Sequence, residues 1–164
     1  MEEIKKILVA LSLTDMSKGK FFYTAKLATC LDADIVAVNI INSRDVEAVS
    51  QIVSMGFEVD GEHYIQGVKN ERGKILQEII DESSFPADRV SVIFKVGNPI
   101  DEILKIIVQE KIDMVVMGPK GRTDLEHIFI GSVAEKLFRR SPVTIVSYRD
   151  EKYSERMRKH IPHM

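Results

Sequence analysis

The part of the chain that says most about its architecture runs from residue 114 to residue 132 and reads MVVMGPKGRTDLEHIFIGS. It begins with a short apolar run, Met114 to Met117, of the kind that forms a buried strand. Gly118 follows that run directly, and its missing side chain would let a ligand approach the backbone. Gly131 and Ser132 then open a helix, whose first N–H groups have no acceptor within the helix. This part of the chain therefore predicts a strand, a glycine-rich loop and a helix N-terminus that can bind an anion.

Three side chains in the same stretch add to this expectation. Ser132 is expected to cap the new helix and to donate its hydroxyl to a phosphate oxygen. Lys120 and Arg122 carry positive charge that could pair with a polyphosphate. Glycines at strand ends and a Gly-Ser pair at a helix start also occur as ordinary turn and cap chemistry, without any ligand. The combination favours an anion site, because the glycines flank one strand end within a single crossover.

Four other short apolar runs are typical of buried strands. They cover residues 7–11, 35–41, 90–96 and 143–146. Their β-branched composition suits strands covered on both faces, as in a parallel sheet. Segments with helical spacing separate them. This alternation predicts an α/β fold with right-handed crossovers, in which an open, doubly wound sheet carries helices on both faces.

The helical segments show apolar residues that recur every three or four positions. Pro99 stands just inside the start of the clearest one, which fits the preference of proline for a first helical turn. The stripes are Phe21, Ala25, Ala28 and Leu31; Val68, Ile75, Leu76 and Ile79; Ile100, Ile103, Leu104, Ile107 and Val108; and Val133, Leu137 and Phe138. Each stripe predicts a helix with one apolar side.

Length and composition predict a single globular domain. The chain has 164 residues, of which 45% are hydrophobic and 29% are charged. A formal net charge of -2 excludes the strongly basic footprint of a general nucleic-acid-binding protein. No signal-peptide core and no apolar run long enough to span a bilayer is found, so we expect a cytoplasmic protein without a membrane partner. Cys30 is expected to be a small buried residue, and no cysteine–histidine cluster offers a zinc site.

The glycine pattern Gly118-x2-Gly121-x9-Gly131-Ser132 resembles the G-2x-G-9x-G-(S/T) signature of the universal stress proteins. The likeness extends from Ile4 to Arg149 and includes the flanking apolar runs. It implies a five-stranded parallel sheet in the order 3-2-1-4-5 and a nucleotide-binding domain over residues 1–149. Residues 42–66, where we expect one small helix, lie where that family carries a variable insertion. Residues 150–164 form a charged C-terminal tail, either a frayed helix or a disordered end.

The resemblance also implies a ligand, because family members with this signature typically bind ATP. ATP is therefore the implied cofactor, with Mg²⁺ or Mn²⁺ as an accompanying ion. Ala10 and Ile40 would contact the adenine, and Met117 and Gly118 would lie beside the adenine and the ribose. The backbone of the glycine loop and of the helix start would hold the phosphates. The implied binding residues are Ala10, Leu11, Ser12, Ile40, Met117, Gly118, Lys120, Gly121, Gly131, Ser132, Val133 and Ala134.

One position departs from the family pattern. Ser12 stands where the family usually has an aspartate close to the adenine and the ribose. Asp15 could replace that aspartate only if the loop bends differently. The loss of one hydrogen bond to the ligand corresponds to about 1 kcal/mol, or roughly fivefold in affinity.

Three functions stay open at this point. The first is a regulatory protein that binds ATP with little or no turnover. The second is a ligand-free interaction protein in which the glycines only shape a turn, and the third is a slow ATPase. His127 and Glu126 lie within the glycine loop but have no evident orienting group, so no catalytic residue is assigned. No GxxxxGK[ST] run and no GxGxxG after the first strand are present, which argues against the usual nucleotide-hydrolysing and dinucleotide-binding enzymes.

The last apolar run is expected to form an edge of the sheet. The segment from Val143 to Tyr148 contains no charged residue before Arg149. An unguarded apolar edge favours pairing with another chain. The resemblance implies a homodimer in which this strand pairs antiparallel with its two-fold mate.

Overall fold

The architecture rests on a parallel five-stranded sheet, seen in a computed structural model that describes residues 3–56, 61–119 and 130–162. The strands are β1 (Lys6–Ala10), β2 (Asp34–Asn42), β3 (Val90–Gly97), β4 (Met114–Met117) and β5 (Thr144–Ser147). Their order in the sheet is β3-β2-β1-β4-β5. The expected α/β class and strand order are therefore confirmed.

Helices connect the strands and flank the sheet. They are α1 (Met16–Leu31), α2 (Ser43–Ser54), α3 (Gly61–Glu82), α4 (Pro99–Gln109), α5 (Ser132–Arg140) and α6 (Glu151–Arg158), with a 3₁₀ turn at Ala87–Arg89. Local chemistry sets several of these boundaries. The side chain of Asn98 accepts hydrogen bonds from the N–H groups of Ile100 and Asp101, which starts α4 with Pro99 as its first residue.

The central strands divide two apolar layers. In β1, Ile7 and Val9 are fully buried against α1 and α3, whereas Leu8 is fully buried against α4 and α5. This alternation follows from the two-residue period of a strand. From β1, which lies between β2 and β4, the chain adds β2 and β3 on one side and then crosses over to add β4 and β5 on the other. The winding direction of the sheet therefore reverses at β1. Ligands of open α/β sheets bind beyond the carboxyl ends of the strands at such a reversal.

Several expectations about burial are wrong. The edge strands β3 and β5 are only partly covered, because each has a sheet neighbour on one side and fewer helices above it. Val108 is 71% exposed and Phe138 is 49% exposed. The apolar stripes of α4 and α5 are wider than the side of each helix that packs on the sheet. Cys30 is also exposed, because it lies on the outer side of α1, away from Ala25 and Ala28.

The two segments without a clear pattern contain helices. Residues 42–66 include α2 and the beginning of α3, so the helical region before β3 is longer than the expected small helix. In the charged tail, Asp150 caps α6 by accepting a hydrogen bond from the N–H of Tyr153. Tyr153 is 8% exposed. The tail therefore carries an ordered helix with a buried aromatic side chain.

Asp113 joins the amino ends of β1 and β4. Its carboxylate accepts hydrogen bonds from the N–H groups of Lys5 and Lys6, both at 2.8 Å. We expect Asp113→Ala to lower the free energy of unfolding by about 1 to 2 kcal/mol, because two backbone donors lose their acceptor. Urea unfolding measures this difference, with Asp88→Ala at an exposed position as the control. Equal losses in both variants would contradict the assigned role of Asp113.

Candidate functional site

A pocket lies at the carboxyl ends of β1, β2 and β4, where the winding direction of the sheet reverses. It is bounded by the ends of these strands and by parts of α1, α2, α3, α4 and α5. Its walls include many of the residues expected to bind the ligand. These are Ala10, Leu11, Ser12, Ile40, Met117, Gly118, Ser132, Val133 and Ala134. The fold thus brings residues that are remote in sequence to one place. The pocket wall also contains residues that the sequence pattern did not indicate.

The start of α5 forms one side of this pocket. Gly131 is the N-cap residue, with φ −75° and ψ 156°, and Ser132 is the first residue of the helix. The expectation that Ser132 caps the helix is therefore wrong, because Gly131 already occupies that position. A glycine cap has no side chain to accept the first N–H groups. The N–H groups of the first helical turn, Ser132 to Ala134, therefore lack a side-chain cap beside the pocket.

The two ends of the glycine loop meet at this point. The N–H of Gly131 donates to the carbonyl oxygen of Pro119 at 2.7 Å, so this donor is engaged within the protein. The N–H of Tyr148 donates to the carbonyl oxygen of Met117 at 2.8 Å, which holds the end of β4 to the segment after β5. Lys120 and Gly121, together with Arg122, Glu126 and His127, lie outside the described residues.

Ser12 lies on the pocket wall at the end of β1. Its Oγ is 3.5 Å from the Oγ1 of Thr14. Leu13 between them has a positive φ of 55°, which turns the chain before α1. Asp15 is exposed and does not line the pocket, so it does not take the place of the family aspartate. A different carboxylate, Asp45 in the first turn of α2, does line the pocket.

The pocket wall next to α1 and α3 also carries a group of polar side chains that the sequence analysis missed. Lys20 Nζ donates to the carbonyl oxygen of Ala10 at 2.8 Å, and Asn39 Nδ2 donates to the carbonyl oxygen of Leu11 at 2.7 Å. Arg72 Nη1 donates to Asn39 Oδ1 at 2.8 Å. These contacts join α1, β1, β2 and α3 at one point.

Two signals in the sequence could have found this group. Lys20 stands next to Phe21 and four residues before Thr24, on the same face of α1 as the buried stripe. Asn39 is the polar residue within the apolar run of β2. A polar side chain at a buried position needs a partner, and such positions are candidates for a site.

Lys20 is a buried cation on the pocket wall. Its side chain is 3% exposed, and burial lowers the pKa of its ammonium group to about 8. Among the described residues, no carboxylate forms an ion pair with it. The protein therefore holds a poorly compensated positive charge at the edge of the pocket.

Two kinds of feature are absent from the described ranges. No group of three or more histidine, cysteine, aspartate or glutamate side chains is arranged to hold a metal ion there. No helix in these ranges has the length and apolar character needed to cross a bilayer.

Comparison with known proteins identifies relatives whose family is known. The model of the universal stress protein family matches residues 3–149. Two curated proteins of Methanocaldococcus jannaschii are similar to the chain over most of its length. Universal stress protein MJ0577 is 28% identical over 153 residues, covering 87% of this chain and 94% of that protein. Universal stress protein MJ0531 is 27% identical over 144 residues, covering 87% and 81% respectively.

Solved structures share the fold. That of MJ0577 superposes with a TM-score of 0.71 at 23% identity, covering 92% of this chain and 99% of that one. A universal stress protein in complex with cAMP gives a TM-score of 0.61 at 17% identity, covering 90% and 98%. The Archaeoglobus fulgidus universal stress protein in complex with dAMP gives 0.57 at 15% identity, covering 90% and 100%. Because the family model matches residues 3–149, which include all five strands, this chain belongs to the universal stress protein family.

Proposed function

We propose that this protein is a regulatory nucleotide-binding protein that takes ATP in the pocket at the carboxyl edge of its sheet. The observation that carries the proposal is the glycine-capped start of α5, which lines the same pocket as the ends of β1, β2 and β4. The N–H groups of a first helical turn and the helix dipole favour a phosphate group. The cAMP and dAMP complexes of two structural neighbours support an adenine nucleotide as the ligand.

The remaining walls suit the nonpolar part of a nucleotide. Ala10, Ile40 and Met117 present apolar surface at the strand ends, and Gly118 adds no side chain beside them. Small-molecule sites commonly combine apolar walls with a few placed polar groups. We therefore place the base and the ribose over the strand ends, with the phosphates at Ser132 and Val133.

A divalent ion would accompany the phosphates. Mg²⁺ usually keeps several waters and binds through substrate phosphates with one or two carboxylates. Asp45 is a carboxylate on the pocket wall that could serve in this way. We propose little or no hydrolysis, because phosphoryl transfer needs a group that positions the attacking water, and no such group is identified in the described pocket lining.

Binding itself is tested by the thermal stability of the protein with and without MgATP. A ligand present at one hundred times its dissociation constant stabilises the folded state by about 2.7 kcal/mol. We expect a clear increase in Tm at millimolar MgATP and very slow release of phosphate. No shift would instead favour a ligand-free interaction protein, and rapid release of phosphate would favour an ATPase.

Ser132→Asp tests the position of the phosphates. A carboxylate in the first turn of α5 repels a phosphate, so we expect the affinity for ATP to fall by more than tenfold. The fold is retained, because a negative charge at a helix N-terminus contributes about 0.3 to 1 kcal/mol of stability. Isothermal titration calorimetry measures the affinity, with Ser132→Ala as the matched control that removes only the hydroxyl. If Ser132→Asp binds ATP as tightly as the parent protein, the phosphates do not lie at α5.

We also propose a homodimer formed through β5. This strand pairs with β4 on one side and lies at an edge of the sheet. Its residues Thr144 to Ser147 carry no charge that would oppose pairing with a second copy.

Ser147→Pro tests the proposed dimer. The N–H of Tyr148 donates to β4, and because N–H groups alternate along a strand, the N–H of Ser147 faces the free edge. Proline there removes a donor for a second copy, so we expect the variant to run as a monomer in light scattering. A circular-dichroism spectrum equal to that of the parent controls for loss of the fold. A folded variant that remains dimeric would exclude β5 as the interface.

A further inference from the structure

The strand β1 leaves the sheet at the pocket. Its pairing with β2 ends at Ala10 and Val38, and its pairing with β4 ends at Val9 and Val116. β2 itself continues to Asn42, paired with β3. The ladder of backbone hydrogen bonds therefore stops on both sides of β1, at the edge of the sheet that carries the pocket.

Two buried side chains bind the carbonyl groups at this point. Lys20 Nζ donates to the carbonyl oxygen of Ala10 at 2.8 Å, and Asn39 Nδ2 donates to the carbonyl oxygen of Leu11 at 2.7 Å. Arg72 Nη1 donates to Asn39 Oδ1 at 2.8 Å. Because a guanidinium can only donate, this contact fixes which end of the Asn39 amide is the oxygen and which is the donor.

A regular parallel ladder would give the same carbonyl groups backbone partners. The N–H of Leu11 donates to the carbonyl oxygen of Val38, which is the last bond of the ladder on that side. One step further, the N–H of Ile40 would donate to Leu11, and on the other side the N–H of Gly118 would donate to Ala10. The two side chains take the place of these donors. The N–H groups of Ile40 and Gly118 are thereby left outside the ladder, at positions that line the pocket.

The two side chains act through the backbone of β1, because they lie on the face of the sheet opposite to the surface that we place against the base. Lys20 is carried by α1, and Asn39 lies two residues after Ala37, on the side of β2 that faces α1 and α3. Ala10 and Ile40, which we place against the base, pack in the layer of α4 and α5.

We propose that Lys20 and Asn39 are positioning residues for the nucleotide: they hold the carbonyl groups at the end of β1, so that the N–H groups of Ile40 and Gly118 donate to the base and the ribose. Backbone N–H groups are common polar contacts in small-molecule sites. Loss of either side chain lets the ladder close by one step, which takes up one of these donors within the sheet. This inference rests on the proposed nucleotide-binding function and refines how that site holds the nucleoside part of its ligand.

Lys20→Met and Asn39→Asp each remove one of the two side-chain donors. The aspartate keeps an acceptor for Arg72 but carries no N–H group. The matched controls are Lys26→Met and Asn70→Asp, which lie at exposed positions of α1 and α3. Isothermal titration calorimetry compares MgATP with magnesium tripolyphosphate, which has the phosphates without the nucleoside.

We expect Lys20→Met and Asn39→Asp each to bind MgATP about fivefold more weakly than the parent, since one hydrogen bond to the nucleoside is lost. Both are expected to bind tripolyphosphate as the parent does, and the two control variants to match the parent with both ligands. An unchanged affinity for MgATP in either folded variant would overturn the inference. An equal loss of tripolyphosphate binding would overturn it too, because the effect would then not be confined to the nucleoside.

Amide hydrogen exchange of the ligand-free protein, followed by NMR, tests the backbone mechanism itself. In Lys20→Met we expect the N–H of Gly118 to exchange roughly fivefold more slowly than in the parent, because the carbonyl oxygen of Ala10 becomes its acceptor. In Asn39→Asp the same slowing is expected for the N–H of Ile40. Side chains that only stabilise the end of β1 would give the opposite result, faster exchange in the variants, and this would contradict the positioning role.

These measurements separate the inference from the function on which it rests. If the parent binds neither MgATP nor tripolyphosphate, the nucleotide-binding function fails and the positioning role fails with it. If the parent binds MgATP and Ser132→Asp abolishes that binding, but Lys20→Met and Asn39→Asp change nothing, only the positioning role is excluded.

Discussion

Replacing Phe21 with alanine is expected to lower the free energy of unfolding by about 3 to 5 kcal/mol. Phe21 is fully buried and lies in the apolar layer between α1, α3 and the sheet, with Val9 and Ile35 in the same cluster. The loss combines the transfer free energy of the ring with the cavity that it leaves. Because single domains are stable by only about 5 to 15 kcal/mol, this change removes a large share of the total.

Urea unfolding followed by circular dichroism measures this loss. Phe138→Ala serves as the control, since the same residue type is 49% exposed on α5. We expect the control to lose less than about 1 kcal/mol, in line with surface substitutions. Comparable losses for the two variants would show that Phe21 does not lie in the main apolar layer as described.

Replacing Lys20 with methionine is expected to stabilise the ligand-free protein near neutral pH. The pKa of Lys20 is lowered from 10.5 to about 8 by burial, so the folded state holds this proton less tightly than the unfolded state. The difference corresponds to about 3 kcal/mol of destabilisation below pH 8. Methionine removes the charge and keeps a similar length, although the hydrogen bond to Ala10 is lost. We therefore expect a net gain of about 1 to 3 kcal/mol at pH 7.

The lowered pKa of Lys20 also determines how the stability difference between the parent and Lys20→Met changes with pH. As pH rises from 8 to 10.5, the folded state of the parent loses the proton of Lys20 while the unfolded state still holds it. Stability therefore rises with pH in the parent relative to Lys20→Met, and the advantage of the variant shrinks. Urea unfolding of both proteins at pH 7, 8, 9 and 10 measures the difference, with Lys26→Met as the exposed control. An advantage that stays constant with pH would exclude a lowered pKa for Lys20.

The strands and helices could be predicted because their signals are local. The apolar run that starts at Met114 is a local signal, and β4 begins at that residue. Pro99 is another, and α4 begins there. The strand order was expected from the resemblance to a family, since apolar periodicity does not say which strands are neighbours. Exposure of Val108 and Cys30 could not be predicted from spacing, because it depends on how far each helix extends over the sheet.

By itself, the sequence determined the alternation of strands and helices and the glycine-rich crossover after β4, because both depend on residues close together along the chain. The tertiary structure decided which polar groups share the pocket. Lys20, Asn39 and Arg72 lie on three different elements and meet because parallel strands bring their carboxyl ends to one edge of the sheet. Burial of Lys20, and with it the charge that the pocket presents to a ligand, is a property of that packing and of no segment alone.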